Sequence, residues 1–505
     1  MEMKRVVIIG SGLGGLSCGL ILSRNGYDVT ILEQGGQPGG CLQCFSRHGV
    51  KFETGMHFIG SADQGQVLYR LLRYLGVTDR ISLSRLDPQG YDVVSLQGQH
   101  FRLANGKESF IETLAKDFPR QRDHLHRYFQ LVEQVASASS LHSLRMADSD
   151  ASPLNTKYQL RSINDVLDEV IDDPLLSNVL VGNLPLYAAE RDKTPFATHA
   201  FITDFYNQSA FRVVGGSDLI ATSLVNSLEQ SGGRLLCRQQ VSRIVCDDEK
   251  AVGVETTTGD YYPADVVIAA IHPARLVELC GSPLLRPAYR RRVQSLPETT
   301  GGFSVYLRFK PQTVAYMNYN FYGYRQSSPW GCEQYTAADW PKGYLYMHFC
   351  HEDGQQWATG GVILSYMRFD EVKPWLGTRV GHRGDDYEQM KRQRAEQLIA
   401  AVCEEFPELR DGIAGYETST PLTYFDYTGT EQGSMYGVAK DINLGPAARV
   451  HHRTKVPNLL LTGQNINSHG ILGVLVGTVV TCSELLTSER IFHQTMEANQ
   501  CTDRP

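Results

Sequence analysis

The stretch Val6-Val-Ile-Ile-Gly10-Ser-Gly-Leu-Gly-Gly15, continued by Leu16–Asn25 and then by Val29-Thr-Ile-Leu-Glu33, decides the fold. Four β-branched residues without alternation read as a strand buried on both faces, as in a parallel sheet. The glycines that follow, spaced G-x-G-x-x-G, open a helix that Gly26 ends as a C-cap. Val29–Leu32 is a second buried strand, and Glu33 closes it 23 residues after Gly10. Each residue type has a physical task. Gly10 permits the turn, Gly12 lets backbone N–H groups approach a pyrophosphate at a helix N-terminus, and Gly15 allows close helix–sheet contact. Glu33 accepts hydrogen bonds from a ribose 2′-hydroxyl and repels a 2′-phosphate, which disfavours NADP.

Working outward, Gly35-Gly-Gln-Pro-Gly39-Gly40 follows Glu33 directly. A second glycine cluster past the acidic residue suits a ligand longer than NAD, although composition alone also allows a flexible loop. At the far end, Leu459–Thr462 reads as a buried strand. It runs into Gly463-Gln464, and Gly470-Ile-Leu-Gly473 opens a last helix to Leu486. A helix N-terminus there stabilises negative charge on a bound group; the plainer reading is a small-residue packing face. Asp218–Glu229 reads as a helix, and Val241–Val245, Val252–Thr256 and Val266–Ala270 as strands. Residues 75–205 carry helical pattern and polar loops, with a mobile surface loop expected at 140–162. The many Tyr and Phe residues of 303–369 recur at spacing two or three, as in an antiparallel sheet. Asp386–Phe406 is helical.

The predicted fold class is therefore α/β, a discontinuous Rossmann-type domain with an inserted α+β substrate domain built on an antiparallel sheet. The expected boundaries are 1–75, 205–298 and 412–495 for the dinucleotide domain, 76–204 and 299–411 for the substrate domain, and 496–505 for a tail. The 505 residues carry 48 basic and 55 acidic side chains, a net charge of −7, which excludes a binder driven by nucleic-acid phosphates. Eleven irregularly spaced cysteines point to a reducing compartment rather than a disulfide scaffold. No run of about 18 apolar residues spans a membrane. Met1–Leu22 reads as strand, turn and helix rather than a signal peptide.

These residues resemble the phytoene desaturase, carotenoid isomerase and retinol saturase group of FAD-dependent oxidoreductases. The likeness is strongest at both ends: Gly39-Gly-Cys41, Phe52–Gly60, Thr420-Pro-Leu-Thr423, Gly433–Gly437 and Thr462–Gly477 look most like the retinol saturase branch. The resemblance implies FAD contacts at Gly10, Gly12, Gly14, Gly15, Glu33, Gln34, Gly39, Gly40, Gly55, Val241, Gly463 and Leu472. The adjoining Ser11, Leu13, Met56, Gln464, Gly470 and Ile471 complete the expected set. It also implies an apolar polyene or isoprenoid substrate, hydrogenated or desaturated at a C=C bond by hydride exchange at flavin N5. The sequence lacks the N-terminal membrane segment of vertebrate retinol saturases, and its inserted regions look less similar.

His57, in the segment the resemblance puts near the flavin, is a candidate proton carrier, as are His469 and Tyr424, with Tyr427 beside the latter. A histidine such as His57 is as readily a packed, hydrogen-bonded residue. Cys41-Leu-Gln-Cys44 invites a redox reading, but a packing role suits a loop thiol better. No metal site is expected, and His451-His452 reads as an unpartnered surface pair. The Tyr and Phe residues of 303–349 would line an apolar tunnel or simply fill a core. Arg290-Arg-Arg292 offers charge to membrane phosphates, or is merely solvated. The expected location is cytoplasmic with peripheral membrane contact, and the electron partner is unassigned. Three alternatives stay open: a cis–trans isomerase using reduced flavin, an amine-oxidase-like flavoprotein, and a non-enzymatic prenyl-binding protein resembling GDP-dissociation inhibitors.

Overall fold

The computed structural model describes residues 3–139, 144, 157–466 and 468–500. Most of the stretch expected to be a surface loop, 140–143 and 145–156, lies outside the described residues.

Five parallel strands form the nucleotide-binding sheet. Their order is Arg234–Cys237, Asp28–Glu33, Arg5–Ile9, Val266–Ala269 and Leu459–Leu461. Arg5–Ile9 sits at the centre, with Val6 beside both Val29 and Val266. Its apolar side chains are buried on both faces, which is why the run shows no alternation. Helices Leu13–Arg24, Asp218–Gln230 and Gly470–Leu486 pack on this sheet through one apolar core that includes Leu16, Leu224 and Leu475. The N- and C-terminal thirds of the chain thus meet through helices Leu13–Arg24 and Gly470–Leu486, while strand Leu459–Leu461 sits at the sheet edge. Strand Arg234–Cys237 is short and partly exposed, and sequence reasoning passed over it. Val241–Cys246, Ala251–Thr256 and Tyr261–Pro263 form a separate antiparallel sheet of three strands.

The second large sheet has seven strands, in the order Ile413–Ser419, Gly301–Phe309, Gly360–Met367, Gly343–His348, Asn320–Tyr324, Asp92–Leu96 and Gln99–Leu103. It differs from the expected antiparallel sheet in one place, since Asn320–Tyr324 pairs parallel with Asp92–Leu96. Both strands of the hairpin 92–103 lie where the sequence reads as helix and loop. Ile413–Ser419 pairs with Gly301–Phe309, so the chain remains in this sheet beyond the expected boundary at 411. The helix Ser488–Gln500 likewise runs through residues 496–500, where a tail is expected. The two faces of the sheet feed two cores. Phe303, Val305, Tyr346 and Ile363 pack with Leu398 and Val402 of the long helix Asp385–Glu405. Tyr322, Leu345, Met347 and Leu364 on the opposite face pack with Val132, Phe196 and their neighbours from residues 107–208. Among the described residues, no helix is long and apolar enough to cross a membrane.

Candidate active site

A cavity of about 350 Å³ opens at the carboxyl ends of the parallel strands, where Ile9, Leu32, Ala270 and Thr462 form its floor. Ligands of doubly wound sheets bind at such strand ends. Gly10 has φ +97°, and a Cβ there would meet Ala270 O at 2.8 Å. A Cβ on Gly15 would lie 2.0 Å from Gly10 O, so this glycine sets helix–strand contact and does not line the cavity. Gly12 and Gly463 are different: both line the cavity, and a Cβ on either meets nothing within 4 Å. Their missing side chains leave room for a ligand on the cavity side.

Gly12 is the N-cap of helix Leu13–Arg24 and has no side chain to cap it, and His469, the N-cap of helix Gly470–Leu486, makes no capping hydrogen bond. Leu13, Gly14, Gly470 and Ile471 line the same cavity. The first N–H groups of both helices are therefore unclaimed by any cap and face a common space, which suits an anionic ligand bridging the two. By contrast, helix Pro421–Thr428 carries a complete capping box from Thr420. Gly39 N donates to Ser11 O at 2.9 Å, docking the second glycine cluster onto the first. Glu33 ties them further: Oε2 accepts from Ser11 N (2.9 Å) and Ser11 Oγ (2.6 Å), and Oε1 from Gly35 N (2.7 Å). Three of its roughly four acceptor positions are thus used within the chain, leaving about one for a ribose hydroxyl.

Of the residues expected to contact the cofactor, Gly10–Gly14, Glu33, Gln34, Gly39, Gly40, Gly55, Met56, Val241, Gly463, Gln464, Gly470 and Ile471 line this one cavity. Leu472 lies beside it, packed against the core under the sheet. His57, Tyr424 and Tyr427 also line it. His57 Nδ1 stands 3.6 Å from Glu53 Oε2. Tyr424 donates its hydroxyl to Thr54 O at 3.0 Å, and burial raises its pKa well above the usual phenol range, so its proton stays in place. His469 is not on the cavity wall. Burial, helped by Lys440, pushes its pKa down to about 3, so the ring is neutral and brings no positive charge to a reduced flavin.

The expectations for Arg290 and for His451-His452 need correction, while that for the loop thiols does not. Burial pushes Cys41 up to about 11 and Cys44, beside Ser217 Oγ at 3.5 Å, up to about 12, which fits packing thiols. Arg290 is not available to a membrane: it donates to the carbonyls of Leu285, Cys280, Ser282 and Val277. His452 is paired, with Nε2 2.7 Å from Glu484 Oε1.

Half of the wall escaped sequence reasoning. Pro185, Tyr206, Leu345, Met347, Leu364, Met435 and Tyr436 close the side away from the parallel sheet. The sheet presents aliphatic side chains here. Phe303 and Phe321, by contrast, fill the core behind it. Tyr436 donates to Pro185 O at 2.8 Å, which fixes the turn Leu184–Leu186 at the cavity edge. The signals in the sequence were the alternation of Leu345 and Met347 along one strand and the stretch Gly433–Gly437, which carries Met435 and Tyr436.

A sequence profile for flavin-containing amine oxidoreductases matches residues 13–478. The chain belongs to that family. As in the rest of the family its cofactor is a flavin, FAD, and it is an oxidoreductase. All-trans-retinol 13,14-reductase of Rattus norvegicus is 27% identical over 96% of this chain and 86% of its own length. Prolycopene isomerase 1 of an Oncidium hybrid cultivar is 23% identical over 95% of this chain and 83% of its own. Among solved structures, an oxidoreductase from Methanosarcina mazei superposes with a TM-score of 0.63 at 16% identity, over 94% of this chain and 99% of that one.

Proposed function

We propose that this flavoenzyme adds or removes hydrogen at a carbon–carbon double bond of an extended apolar polyene or isoprenoid. The single observation that carries the reading is the charge of the cavity wall. Among the described residues, Glu33 is the only carboxylate lining it, and its oxygens already hold three donors of this chain. A cationic amine would be buried with no free counter-ion, which is costly. An apolar chain meets Met56, Leu345, Met347 and Leu364 instead.

The sheet also offers length. Met347 and Leu345 line the cavity, and Gly343, two residues on along the same face, lines a second, narrow cleft. On the paired strand Leu364, opposite Leu345, lines both spaces, and Tyr366 lines the second. From Met347 to Gly343 the strand rises about 13 Å. A Cβ on Gly343 would strike the Tyr324 ring at 2.7 Å, so this glycine lets the ring pack directly over the strand at the cleft. The names of the relatives, a retinol reductase and a prolycopene isomerase, fit the same class of ligand.

Bound FAD supplies two-electron chemistry at its N5 position. The chain supplies apolar walls that exclude water and align the double bond. His57 carries the proton that the second carbon gains or loses, with Glu53 beside its ring. Because such a substrate partitions into lipid, we further propose peripheral contact with a bilayer and an external redox partner; vesicle flotation tests the first. The reaction itself is tested by mixing the flavin-loaded protein anaerobically with polyenes and with primary amines. Polyene-dependent change in flavin absorbance with a product shifted by two hydrogens is expected. An unchanged product mass makes it an isomerase, and reduction by amines alone overturns the reading.

A further inference from the structure

Cys246 ends the strand that begins at Val241, and Cys280 caps the C-terminus of helix Pro273–Leu279. Both elements reach the cofactor cavity at their other parts, through Val241 and through His272, Arg275 and Leu279. Behind that wall the two sulfurs lie 3.7 Å apart. The approach is built into the backbone, because Cys280 forms a parallel β-bridge with Ile244, two residues before Cys246 on its strand. Arg290 holds the segment in place by donating to the carbonyls of Cys280 (2.6 Å) and Ser282 (3.1 Å). Cys246 is partly exposed and Cys280 buried. The S–H of Cys246 donates to Cys280 and lowers its pKa, with Arg290 contributing in the same direction. The other close pair differs: Cys18 and Cys482 are both buried, and their thiols bond to Thr462 Oγ1 and Cys18 O.

We propose that Cys246 and Cys280 are a redox modification site that closes reversibly to a disulfide. Hydrogen peroxide is the oxidant. Cys280 releases its proton to solvent and draws the S–H proton of the solvent-facing Cys246 as the Cys246 sulfur attacks one peroxide oxygen. The O–O bond breaks, and Cys246 becomes a sulfenic acid while hydroxide leaves and takes that proton from Cys280 as water. The Cys280 sulfur then displaces the sulfenic oxygen, which takes back the proton first released to solvent and leaves as a second water. Two thiols and one peroxide give one disulfide and two waters, the two electrons passing from sulfur to oxygen. The sulfurs close from 3.7 Å to the bond length of about 2.05 Å. The link cross-ties the strand and helix that wall the cofactor.

The test uses the full-length, FAD-loaded protein treated with hydrogen peroxide and then blocked and digested without reductant. Expected are a mass loss of about 2 Da, two fewer free thiols, and a cross-linked peptide pair containing Cys246 and Cys280, all reversed by dithiothreitol. Melting temperature should rise by about 3 °C from the shortened unfolded chain. Cys246→Ser and Cys280→Ser should each abolish the cross-link, while Cys18→Ser leaves it. The wild-type peptide map carries the result even where a variant fails to fold. Peroxide that leaves both thiols free, drives Cys246 to a sulfinic acid without cross-linking, or links other cysteines overturns the proposal.

Discussion

Gly12→Ala at the N-cap and Gly15→Ala in the first turn of helix Leu13–Arg24 should fail in opposite ways. Gly12 sits at φ −65° and ψ 175°, a conformation alanine adopts freely, and its Cβ would have no neighbour within 4 Å. The folded chain tolerates the methyl, and the loss of glycine's freedom in the unfolded chain stabilises by about 0.4–1 kcal/mol. That methyl nevertheless enters the space in front of the first helical N–H groups. Losing one or two hydrogen bonds to a charged phosphate costs about 2–4 kcal/mol, or roughly 30- to 1,000-fold in affinity. Gly15→Ala instead places Cβ 2.0 Å from Gly10 O, both atoms belonging to the packed helix–strand contact. Relieving that overlap moves the backbone by more than 1 Å, at a cost of about 3–5 kcal/mol in fold stability. The assay is flavin content of purified protein by absorbance, FAD titration of the apoprotein, and thermal melting of the apoprotein. Gly12→Ala should melt at or slightly above wild type yet hold FAD weakly, and Gly15→Ala should melt far lower. A Gly12→Ala protein that binds FAD as wild type does would refute the placement of the pyrophosphate.

Glu33→Ala removes the acceptor for Ser11 N, Ser11 Oγ and Gly35 N, so FAD affinity should fall about 10- to 100-fold by titration. His57→Gln should lower turnover about 100-fold at unchanged flavin content. Leu364→Trp fills the junction between the cavity and the second cleft, so long polyenes should lose about tenfold in kcat/KM and short ones little. His199, hydrogen-bonded to Tyr128 and Tyr187, is pushed down to about 3 by burial. The unfolded chain takes up that proton first, near 6.5, so this contribution is intact above about 6.5 and drains as pH falls toward 3. Urea midpoints at pH 7 and 4.5 should differ more in wild type than in His199→Gln.

The dinucleotide half of the site was legible because its constraints are local. Gly10, Gly12, Gly15 and Glu33 act within one strand–turn–helix–strand unit, and each position tolerates few residue types for reasons readable from the chain. The strands Val6–Ile9, Val29–Leu32 and Leu459–Thr462 and the helices after Gly12 and Gly470 lie within a few residues of their observed bounds for the same reason. The hairpin Asp92–Leu96 and Gln99–Leu103 was missed because its second strand is partly exposed and polar at Gln99 and His100. What anchors it in the sheet is the pairing of its first strand, Asp92–Leu96, with Asn320–Tyr324, more than 200 residues away. The Arg290 run misled for a similar reason: charge patterning cannot reveal that four backbone carbonyls converge on one guanidinium.

The substrate half depends on which face of a sheet each residue takes, and there a one-residue slip exchanges the two sets of side chains. In 343–348 the aromatic residues Tyr344 and Tyr346 dominate the composition, yet they point to the core shared with helix Asp385–Glu405. Leu345 and Met347 face the cofactor cavity instead. The register Leu345–Leu364 fixes this choice, since it places Leu364 and Tyr366 on the same side and carries the apolar face from one cavity to the next. An apolar face therefore runs from the cavity to the second cleft on alternate positions of two paired strands. Of the aromatic residues, Phe303, Phe321 and Tyr346 fill the core behind that face, while Tyr324 and Tyr366 line the second cleft.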